Sequence, residues 1–423
     1  MPEYLEIDLS SGSRRAAVWF VAVLSIAGAA FAAVWGMATT AASGVDTVEA
    51  AEMTVSLAPG DPGTHSALAE LLELSFDPTD FEKALAHYET AAALSPYDYL
   101  RWQELGRARE RRGDAVGGEG ALRVAAVRAP HYASVAWVLG NNLLRQGRAE
   151  EAFAQISRAV AADSRLTAPA ADLAWRIFDG DLTAIRNSIG ASPRLTAAIA
   201  VTLADQKRFD ESFAEWRSIP VELRRSELAE TGTALAAKFY SEKLFRYALI
   251  VGSDSAEAPQ FEVGRINNPG FEEGMRADRS APFEWSIGKF EGVQVVPTNG
   301  QRRSGNISLA VVFSLTGNGS LSVINQTVAV EPGSTYTLRV FYRAELKTGE
   351  GLRWTVVNAK DGTVIATTEA VTAASDWSEL RTLFTVPAGT DGIIISFGRD
   401  TCTGTGCSAA GTIWFDDLEL IKQ

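Results

Sequence analysis

The sequence predicts a multidomain protein in which a transmembrane helix is followed by an α-solenoid and then by an all-β antiparallel sandwich. Three observations predict this order: an uncharged apolar segment near the start, a 34-residue internal repeat, and a change to short strands of alternating polarity in the last third of the chain. A chain of 423 residues is long enough for two or three folded units.

The composition excludes several classes of function. The chain carries 39 Lys and Arg against 52 Asp and Glu, a net charge of −13, so it has no excess of cations for a nucleic-acid backbone. Its two cysteines and three histidines are too few for a multi-thiolate zinc site. The sequence lacks a nucleophile elbow, a phosphate-binding loop, an H-E-x-x-H motif and a dinucleotide fingerprint. We therefore expect a non-catalytic protein that does not bind nucleic acid.

The first element is a predicted transmembrane helix at residues 16–42. No charged residue occurs from Ala16 to Val45, a stretch of 30 residues, and about 20 apolar residues are enough to cross a bilayer. Two arginines precede this stretch and acidic residues follow it. Because basic residues stay on the cytoplasmic side, we expect a cytoplasmic tail at 1–15 and an extracytoplasmic remainder.

Two alternatives to this anchor stay open. The small residues ATTAASG at 38–44 resemble the processing site of a cleaved signal peptide. The segment is also compatible with a buried helix of a soluble protein. The anchor interpretation predicts a single-pass inner-membrane protein whose C-terminal bulk is periplasmic, with a linker at 43–64 after the helix.

A 34-residue period runs through the middle of the chain. Leu105-Gly106 recurs as Leu139-Gly140, and three copies in register begin near His65, Tyr99 and Ala133. The pattern resembles the tetratricopeptide repeat (TPR), and this resemblance implies an α-solenoid of helical hairpins at 65–251 whose groove binds a protein partner. The alternative is a spacer that holds the next domain away from the membrane.

The aromatic residues and histidines of the repeat region have no pattern that marks a ligand site. Each tryptophan lies in an apolar helical setting, so we expect a core position for Trp102, Trp137, Trp175 and Trp216. The histidines are far apart in sequence and lack metal-ligand spacing, so we expect ordinary surface or hydrogen-bonded roles for His65, His87 and His131.

The composition changes after a predicted linker at 252–264. From residue 265 to residue 423, short runs rich in Val, Ile, Thr, Tyr and Trp are separated by Gly, Asn and Pro, which is typical of a β-sandwich. The predicted strands are 292–296, 307–313, 320–330, 335–345, 352–358, 363–371, 378–386, 392–398 and 411–421.

Several segments of this region, in this order, resemble jelly-roll carbohydrate-binding modules found beside xylanases and other glycanases. They are NNPGFEEG at 267–274, RSGNISLAV at 303–311, the segment 324–345, DWSELRTLFTVPAG at 376–389 and IWFDDLEL at 413–420. The resemblance implies a jelly roll that binds polysaccharide, although the same sandwich also serves protein contacts and plain spacing.

The resemblance also implies a structural Ca²⁺. In such modules calcium commonly ties the first strand to the last through a carboxylate after the opening Gly-Phe and an aspartate in the final strand. Glu272 and Asp416 occupy these places, and backbone carbonyls would have to complete the shell. The alternative is a pair of solvated rim carboxylates.

The candidate glycan-binding residues are Arg339, Phe341, Arg343 and Arg353. In the strand 335–345 successive side chains alternate between two faces, and we expect the core face to carry Tyr336, Leu338, Val340 and Tyr342. The opposite face would then present an aromatic ring between two guanidinium groups, with Arg353 on the adjacent predicted strand. The alternative is a solvated sheet face with one half-covered ring.

The resemblance predicts the burial of three of the four tryptophans in this region. Trp285, Trp377 and Trp414 occupy core places of the family, so we expect them to be buried. Trp354 fits either the core or a ligand face.

Cys402 and Cys407 are the only cysteines, with four residues between them. Outside the cytoplasm we expect a disulfide bond that closes this glycine-rich loop, because such bonds persist in oxidising compartments. Two reduced thiols are the alternative if the chain is not exported.

These features together predict a membrane-anchored, non-catalytic binding or scaffold protein. The Ala-, Arg- and Gly-rich composition is typical of a bacterial protein, and the architecture is consistent with a role in envelope polysaccharide assembly or export. The alternative is a purely structural scaffold whose two outward parts make protein–protein contacts and bind no sugar.

Overall fold

The computed structural model confirms the predicted fold class: an apolar N-terminal helix, a series of helical hairpins and an antiparallel β-sandwich. It describes residues 11–75, 77–256, 261–273, 275, 281–349, 351–402 and 407–423. The predictions for the tail at 1–10, the linker residues 257–260 and the interior of the cysteine loop at 403–406 lie outside these ranges. The chain forms two compact units, Met1–Leu195 and Thr196–Gln423.

The helices precede the strands along the chain. Their bounds are α1 Gly12–Ala42, α2 Val48–Leu57, α3 Pro62–Glu73, α4 Pro78–Leu94, α5 Tyr99–Arg111, α6 Ala115–Arg128, α7 Ala133–Arg145, α8 Ala149–Ala162, the short 3-10 helix η1 Ser164–Leu166, α9 Thr167–Ile177, α10 Leu182–Ile189, α11 Pro193–Asp205, α12 Phe209–Ser218, α13 Val221–Arg225, α14 Ala229–Ser241 and α15 Phe245–Ser255.

The segment expected as a linker at 43–64 is largely helical. Thr47 caps α2 by accepting a hydrogen bond from the backbone N–H of Ala50 at 3.3 Å, and Asp61 caps α3 through Thr64 N–H at 3.0 Å. Side-chain acceptors at these positions satisfy N–H groups that have no partner inside the helix, which favours a helix start. Helical structure therefore resumes soon after α1, ahead of the predicted start of the repeats at residue 65.

Helix α1 has the length and composition of a membrane-spanning helix. It contains 31 residues, its most apolar window has a mean hydropathy of 2.3, and none of that window is buried against the rest of the protein. Both an anchor and a signal sequence have these properties.

The regular repeats pack as helical pairs, α3 with α4, α5 with α6, and α7 with α8. Glycine permits the close approach within a pair: a Cβ atom on Gly118 would lie 2.9 Å from the carbonyl oxygen of Gly106, and one on Gly106 would lie 2.6 Å from the side chain of Leu122. Leu122 is fully buried at this contact. The small residues of the period are therefore required by helix packing.

The sandwich consists of two antiparallel sheets. Its strands are β1 Ser286–Ile287, β2 Val293–Thr298, β3 Ser308–Leu315, β4 Leu321–Ala329, β5 Thr335–Gly349, β6 Arg353–Asn358, β7 Val364–Thr367, β8 Ala374–Thr385, β9 Gly392–Arg399 and β10 Ala409–Lys422. Sheet A has the order β1-β4-β9-β6-β7, and sheet B has the order β2-β3-β10-β5-β8. All nine predicted strands are present with bounds shifted by at most four residues, and the two-residue β1 is an addition.

The two sheets enclose an aromatic core centred on Trp354, which is fully buried. Its ring centroid lies 6.1 Å from that of Trp285, 5.3 Å from that of Phe397 and 5.2 Å from that of Phe415. Trp354 is therefore a core residue and not part of a ligand face. The predicted core face of β5 is confirmed, with at most 5% exposure for Tyr336, Leu338, Val340 and Tyr342.

The last helical hairpin packs on the sandwich within the second compact unit. The hydroxyl of Tyr240 donates a hydrogen bond to Thr327 Oγ1 at 3.0 Å. The carboxylate of Asp391, in the turn before β9, accepts hydrogen bonds from the backbone N–H groups of Phe245 at 3.2 Å and Arg246 at 2.9 Å. These are the first residues of α15, whose own N-cap residue makes no such bond, so Asp391 serves as the helix cap.

These contacts bear on the predicted domain boundary. The sequence places it at the polar linker 252–264, where composition changes. In the structure the compact unit that holds the sandwich extends back to Thr196. Composition marks where helices give way to strands, but only tertiary contacts show which helices share a core with those strands.

Candidate functional site

The outer face of sheet B carries three of the four predicted glycan-binding residues. Strand β5 lies between β10 and β8 in this sheet. Because Leu338 and Val340 are fully buried in the core, the alternation of a strand directs Arg339, Phe341 and Arg343 to the opposite face. The structure therefore brings these three side chains together on one surface.

The ring of Phe341 is not an open stacking surface. The guanidinium carbon of Arg303 lies 3.6 Å from the ring centroid, and that of Arg339 lies 5.3 Å away. Arg303 is held in place by an ion pair with Asp417. A cation over a ring face is a favourable contact, so a sugar would have to displace Arg303 to stack on Phe341.

Arg339 is engaged in cross-strand ion pairs. Its Nε donates a hydrogen bond to Glu379 on β8 at 2.7 Å, and its Nη1 donates to Glu419 on β10 at 2.8 Å. Hydrogen bonds from Arg381 and then from Arg339 lower the pKa of Glu379 to about 2. Arg339 therefore links strands β5, β8 and β10. Two of its nitrogen atoms already donate hydrogen bonds, so it has fewer N–H groups for a ligand than the sequence suggests.

The sequence analysis places Arg353 next to Arg339, Phe341 and Arg343, and this prediction is wrong. Arg353 is the first residue of β6, which belongs to sheet A and pairs with β9 and β7. The chain passes from one sheet to the other between β5 and β6, so strands that are adjacent in sequence are not adjacent in space. The Nε of Arg353 donates to the carbonyl oxygen of Gly351 at 3.3 Å.

Two tryptophans that were expected in the core lie on the outer face of sheet B. Trp414 is directly opposite Arg343 in the β10–β5 pairing, and its chain neighbours Ile413 and Phe415 are fully buried. Trp377 is two residues before Glu379 on β8, next to a bulge in the pairing of β8 with β5, and strand alternation directs both side chains to the same face. Both rings are half-buried, and neither packs against the core cluster. Trp285 is buried as expected, with 4% exposure.

Arg343 lies opposite Trp414 on this face and keeps hydrogen-bonding capacity. Its Nη2 is 3.6 Å from the carboxylate of Glu345, a loose ion pair. Its Nε is buried and has no hydrogen-bond partner within the described parts of the chain. A guanidinium group has five N–H donors, four of them on its two terminal nitrogens, and the Arg343 side chain is 25% exposed, so these terminal donors are the ones that a ligand can reach. Alternation in IWFDDLEL is the signal that directs Trp414 to the outer face, whereas its place opposite Arg343 depends on the pairing of β10 with β5.

The two candidate calcium ligands lie around Gly270. A Cβ atom on Gly270 would be 3.4 Å from Asp416 Oδ1, 3.8 Å from Glu272 Cγ and 3.9 Å from Asp417 Oδ1. Oxygen donors from distant parts of the chain fit the preference of Ca²⁺. Among the described residues, however, no three or more His, Cys, Asp or Glu side chains are gathered for a metal, so backbone carbonyls would have to contribute.

Both carboxylates also bind backbone N–H groups. Asp416, which is fully buried, accepts hydrogen bonds at Oδ2 from Arg303 at 2.8 Å and Ser304 at 3.2 Å. Glu272 Oε1 accepts from Asn306 at 2.8 Å and Ile307 at 3.0 Å. Burial raises the pKa of Asp416 above its usual value, whereas the hydrogen bonds from these backbone N–H groups lower it. The two residues thereby fix the loop between β2 and β3.

Cys402 and Cys407 form a disulfide bond, with 5.6 Å between their Cα atoms. Cys407 is buried and Cys402 is half-buried. The carbonyl oxygen of Cys407 accepts a hydrogen bond from Arg399 at the end of β9. The bond therefore ties the ends of β9 and β10 together.

The repeat region has a cavity of about 620 Å³ between α5 and α7. It is lined by Arg107, Glu110, Arg111, Trp137, Val138, Asn141 and Arg145. Trp137, expected in the core, is half-buried and lines this cavity, whereas Trp216 is fully buried as expected. The spacing of Trp137 and Asn141, four residues apart on a helix, places them on one face and was the available signal.

The charge of this cavity is mainly positive. Arg145 forms an ion pair with Glu110, and Arg111 forms one with Glu73. Arg107 is exposed and makes no ion pair with any residue that the structure describes. The cavity lining therefore contains the apolar indole ring of Trp137 and the guanidinium group of Arg107, whose charge no carboxylate among the described residues neutralises.

Similarity to known proteins is found with solved structures that each match part of the chain. No family model and no curated protein matches it. Among solved structures, it is similar to a carbohydrate-binding module of family 4, with 24% identity over 37% of this chain and 99% of that chain at a TM-score of 0.29. It is similar to a thermophilic TPR protein of Thermus thermophilus, with 22% identity over 30% of this chain and 70% of that chain at a TM-score of 0.28. A third similar structure is YrrB, a TPR protein with an unusual peptide-binding site, with 14% identity over 49% of this chain and 92% of that chain at a TM-score of 0.28.

Proposed function

We propose that this chain is a membrane-anchored, non-catalytic binding protein of the bacterial envelope. Helix α1 lies in the inner membrane, and the remainder is periplasmic. The outer face of sheet B binds a polysaccharide, and the cavity between α5 and α7 binds a peptide segment of a protein partner. This combination suits a role in polysaccharide assembly or export. The disulfide at Cys402 and Cys407 supports an extracytoplasmic location, because the cytoplasm keeps such thiols reduced.

The glycan-binding part rests on one observation: two half-buried tryptophans lie on the same outward sheet face as an incompletely paired guanidinium group, and one of them, Trp414, is directly opposite it. Indole rings offer flat apolar surfaces to the C–H groups of a sugar ring. The N–H groups of Arg343 can donate to sugar hydroxyl or carboxylate oxygens, which fix orientation. The face thus has both kinds of contact that sugar recognition needs.

The test is binding of the full-length protein in detergent micelles to an array of polysaccharides. We expect Trp414→Ala to weaken binding at least about tenfold, because aromatic anchors carry most of the energy of such contacts. Leu383→Ala is the matched control, since Leu383 is 64% exposed on β8 and lies away from Arg343. If the wild-type protein binds no polysaccharide while folded, the alternative of a structural scaffold without sugar binding is correct.

We further propose that Glu272 and Asp416 hold a structural Ca²⁺. The ion would neutralise the buried Asp416 carboxylate and tie the segment before β1 to β10. The polysaccharide array is therefore run with calcium and with a chelator. Thermal unfolding in the same two buffers reports on calcium directly, and an unchanged melting temperature would count against the ion.

The peptide-binding part rests on the charge of the cavity between α5 and α7. Because the whole chain carries a net charge of −13, an acidic peptide is repelled overall and is attracted only where cations are concentrated. Arg107 supplies such a cation, and Trp137 supplies an apolar wall. The preferred ligand is therefore an acidic peptide segment with one large apolar side chain.

A panel of acidic and basic peptides of equal length, each with one aromatic residue, tests this selectivity. We expect the wild-type protein to prefer the acidic set and Arg107→Glu to weaken that binding at least about tenfold, because like charges then face each other. Arg112→Glu makes the same change of charge next to α5 but outside the cavity lining, and it should have little effect. Equal binding of both peptide sets would contradict the proposal.

A further inference from the structure

Helices α3, α5 and α7 all begin at one edge of the repeat region, because the helices between them run in the opposite direction. The loops that precede them are residues 58–61, 95–98 and 129–132. Ring contacts show that the last two loops are neighbours: the rings of Tyr99 and Tyr132 lie 4.6 Å apart, and the guanidinium carbon of Arg128 lies 4.6 Å from the ring centroid of Tyr97. We call this side of the compact unit Met1–Leu195 the loop edge.

Large apolar and aromatic side chains are exposed along the loop edge. They are Leu57, Leu94, Tyr97, Leu100, Val127 and Tyr132. Tyr97 is 78% exposed and Val127 is 76% exposed, so the described parts of the chain leave both largely uncovered. The turns 112–114 and 146–148 at the opposite edge have the polar sequences RGD and QGR. Contiguous exposed apolar surface marks a contact with a membrane or with another protein, so the loop edge is a candidate for such a contact.

The loop edge also contacts the end of α1. A Cβ atom on Gly60, in the first of the three loops, would lie 3.1 Å from the ring of Trp35. None of the most apolar window of α1 is buried, whereas Ala38 and Ala42 in its last turns are buried. Trp35 lies where this change occurs, and tryptophan is enriched at the interface between a membrane and water. The residue at which α1 leaves the apolar phase is therefore the residue that contacts the loop edge.

We propose that the loop edge lies on the periplasmic surface of the lipid bilayer in which α1 is anchored. This proposal rests on the proposed place of α1 in the inner membrane. The contact between Trp35 and Gly60 brings the loop 58–61 to the level of the lipid headgroups. The loops 95–98 and 129–132 continue the same edge away from α1 along the membrane. The opposite edge of these hairpins then faces water.

The side chains of the loop edge suit the headgroup layer. A tyrosine has an apolar ring and a polar hydroxyl group, so Tyr97 and Tyr132 place their rings against acyl chains while their hydroxyl groups stay in water. Arg128 is exposed and makes no ion pair with a residue that the structure describes, so its charge is available to lipid phosphate. Continuity with Trp35 favours lipid over a protein partner, because it fixes the first loop beside the membrane helix.

The test measures the depth of single positions in a bilayer. Full-length protein is reconstituted in vesicles of equal parts phosphatidylcholine and phosphatidylglycerol, with the fluorophore NBD on one introduced cysteine. The native cysteines are disulfide-bonded and do not react. Val127→Cys labels the loop edge. Val116→Cys is the matched control, because Val116 is the second residue of α6, Val127 is its second-last residue, and their exposures are 72% and 76%.

A lipid that carries a nitroxide on its headgroup quenches NBD at the membrane surface. We expect it to quench the label of Val127→Cys at least about threefold more than that of Val116→Cys, because only the loop edge lies within the headgroup layer. Adding Tyr97→Glu and Tyr132→Glu to the Val127→Cys protein should reduce the quenching at least about twofold, since a carboxylate is costly to place against acyl chains. Far-ultraviolet circular dichroism shows that each variant is folded.

Flotation of the vesicles on a density gradient separates this proposal from the proposed anchor. If the protein floats with the vesicles but both labels are quenched equally, or neither is quenched, the anchor stands and the loop-edge proposal is overturned. A blue-shifted Val127→Cys label without nitroxide quenching also overturns it, because a protein such as a second copy of the chain then covers the edge. If the protein does not float, the anchor itself is wrong and the loop-edge proposal falls with it.

Discussion

Replacing Trp354 by alanine is expected to destabilise the sandwich by about 3–5 kcal/mol, the usual cost of truncating a fully buried aromatic side chain. The ring contacts Trp285, Phe397 and Phe415, which belong to the segment before β1 and to β9 and β10. Its removal leaves a cavity between the two sheets, and the surrounding strands cannot move close enough together to fill it. Urea unfolding of the full-length protein, with hydrogen exchange read at the amides of β6, β9 and β10, measures the loss.

Trp414→Ala is the matched comparison, because it removes the same side chain from the same domain at a half-exposed position. We expect it to cost no more than about 1 kcal/mol in stability and to act on polysaccharide binding instead. Trp354→Phe should cost less than Trp354→Ala, since it keeps most of the ring and removes a buried N–H that has no hydrogen-bond partner among the described residues. Equal destabilisation by Trp354→Ala and Trp414→Ala would show that their assignment to core and surface is wrong.

These two tryptophans show how far the sequence predicts the sandwich. Alternation along a single strand is a local property, so the core face of β5 was predictable down to individual residues. The same rule applied to Ile413, Trp414 and Phe415 points Trp414 outward, but the family resemblance favoured the core. The pairing of β5 with β10 and β8, and the place of β6 in the other sheet, are non-local, so the position of Arg353 was not predictable from strand order.

The repeat region shows the same limit. The 34-residue period predicts the hairpins because each copy must repeat the same helix contacts, as at Gly106 and Gly118. The cavity residue Arg107 lies at a position that the period does not repeat, and the Nδ1 atoms of His65 and His87, which lie 2.8 Å apart, belong to residues 22 positions apart. Neighbouring helices bring these side chains to their places, and a single sequence gives no sign of this.

The second large loss of stability is expected at the contact between the last helical hairpin and the sandwich. Phe245→Ala is expected to destabilise the compact unit Thr196–Gln423 by about 3–5 kcal/mol. Phe245 is 4% exposed, its ring lies 5.4 Å from that of Tyr240, and it packs so closely on β9 that a Cβ atom on Gly392 would lie 2.1 Å from it. Asp391→Ala should cost about 0.5–2 kcal/mol, because it removes only the helix cap.

Hydrogen exchange distinguishes a shared core from two independent domains. If α14, α15 and the sandwich unfold together, Phe245→Ala will increase exchange in β9 and β4 as well as in α15. If the boundary at 252–264 separates independent domains, the same change will affect the helices alone and leave the strands protected. Glu242→Ala, at an exposed position between α14 and α15, is the control and should leave both regions unchanged. A protected β9 in the Phe245→Ala protein would therefore restore the boundary that the composition of the chain predicts.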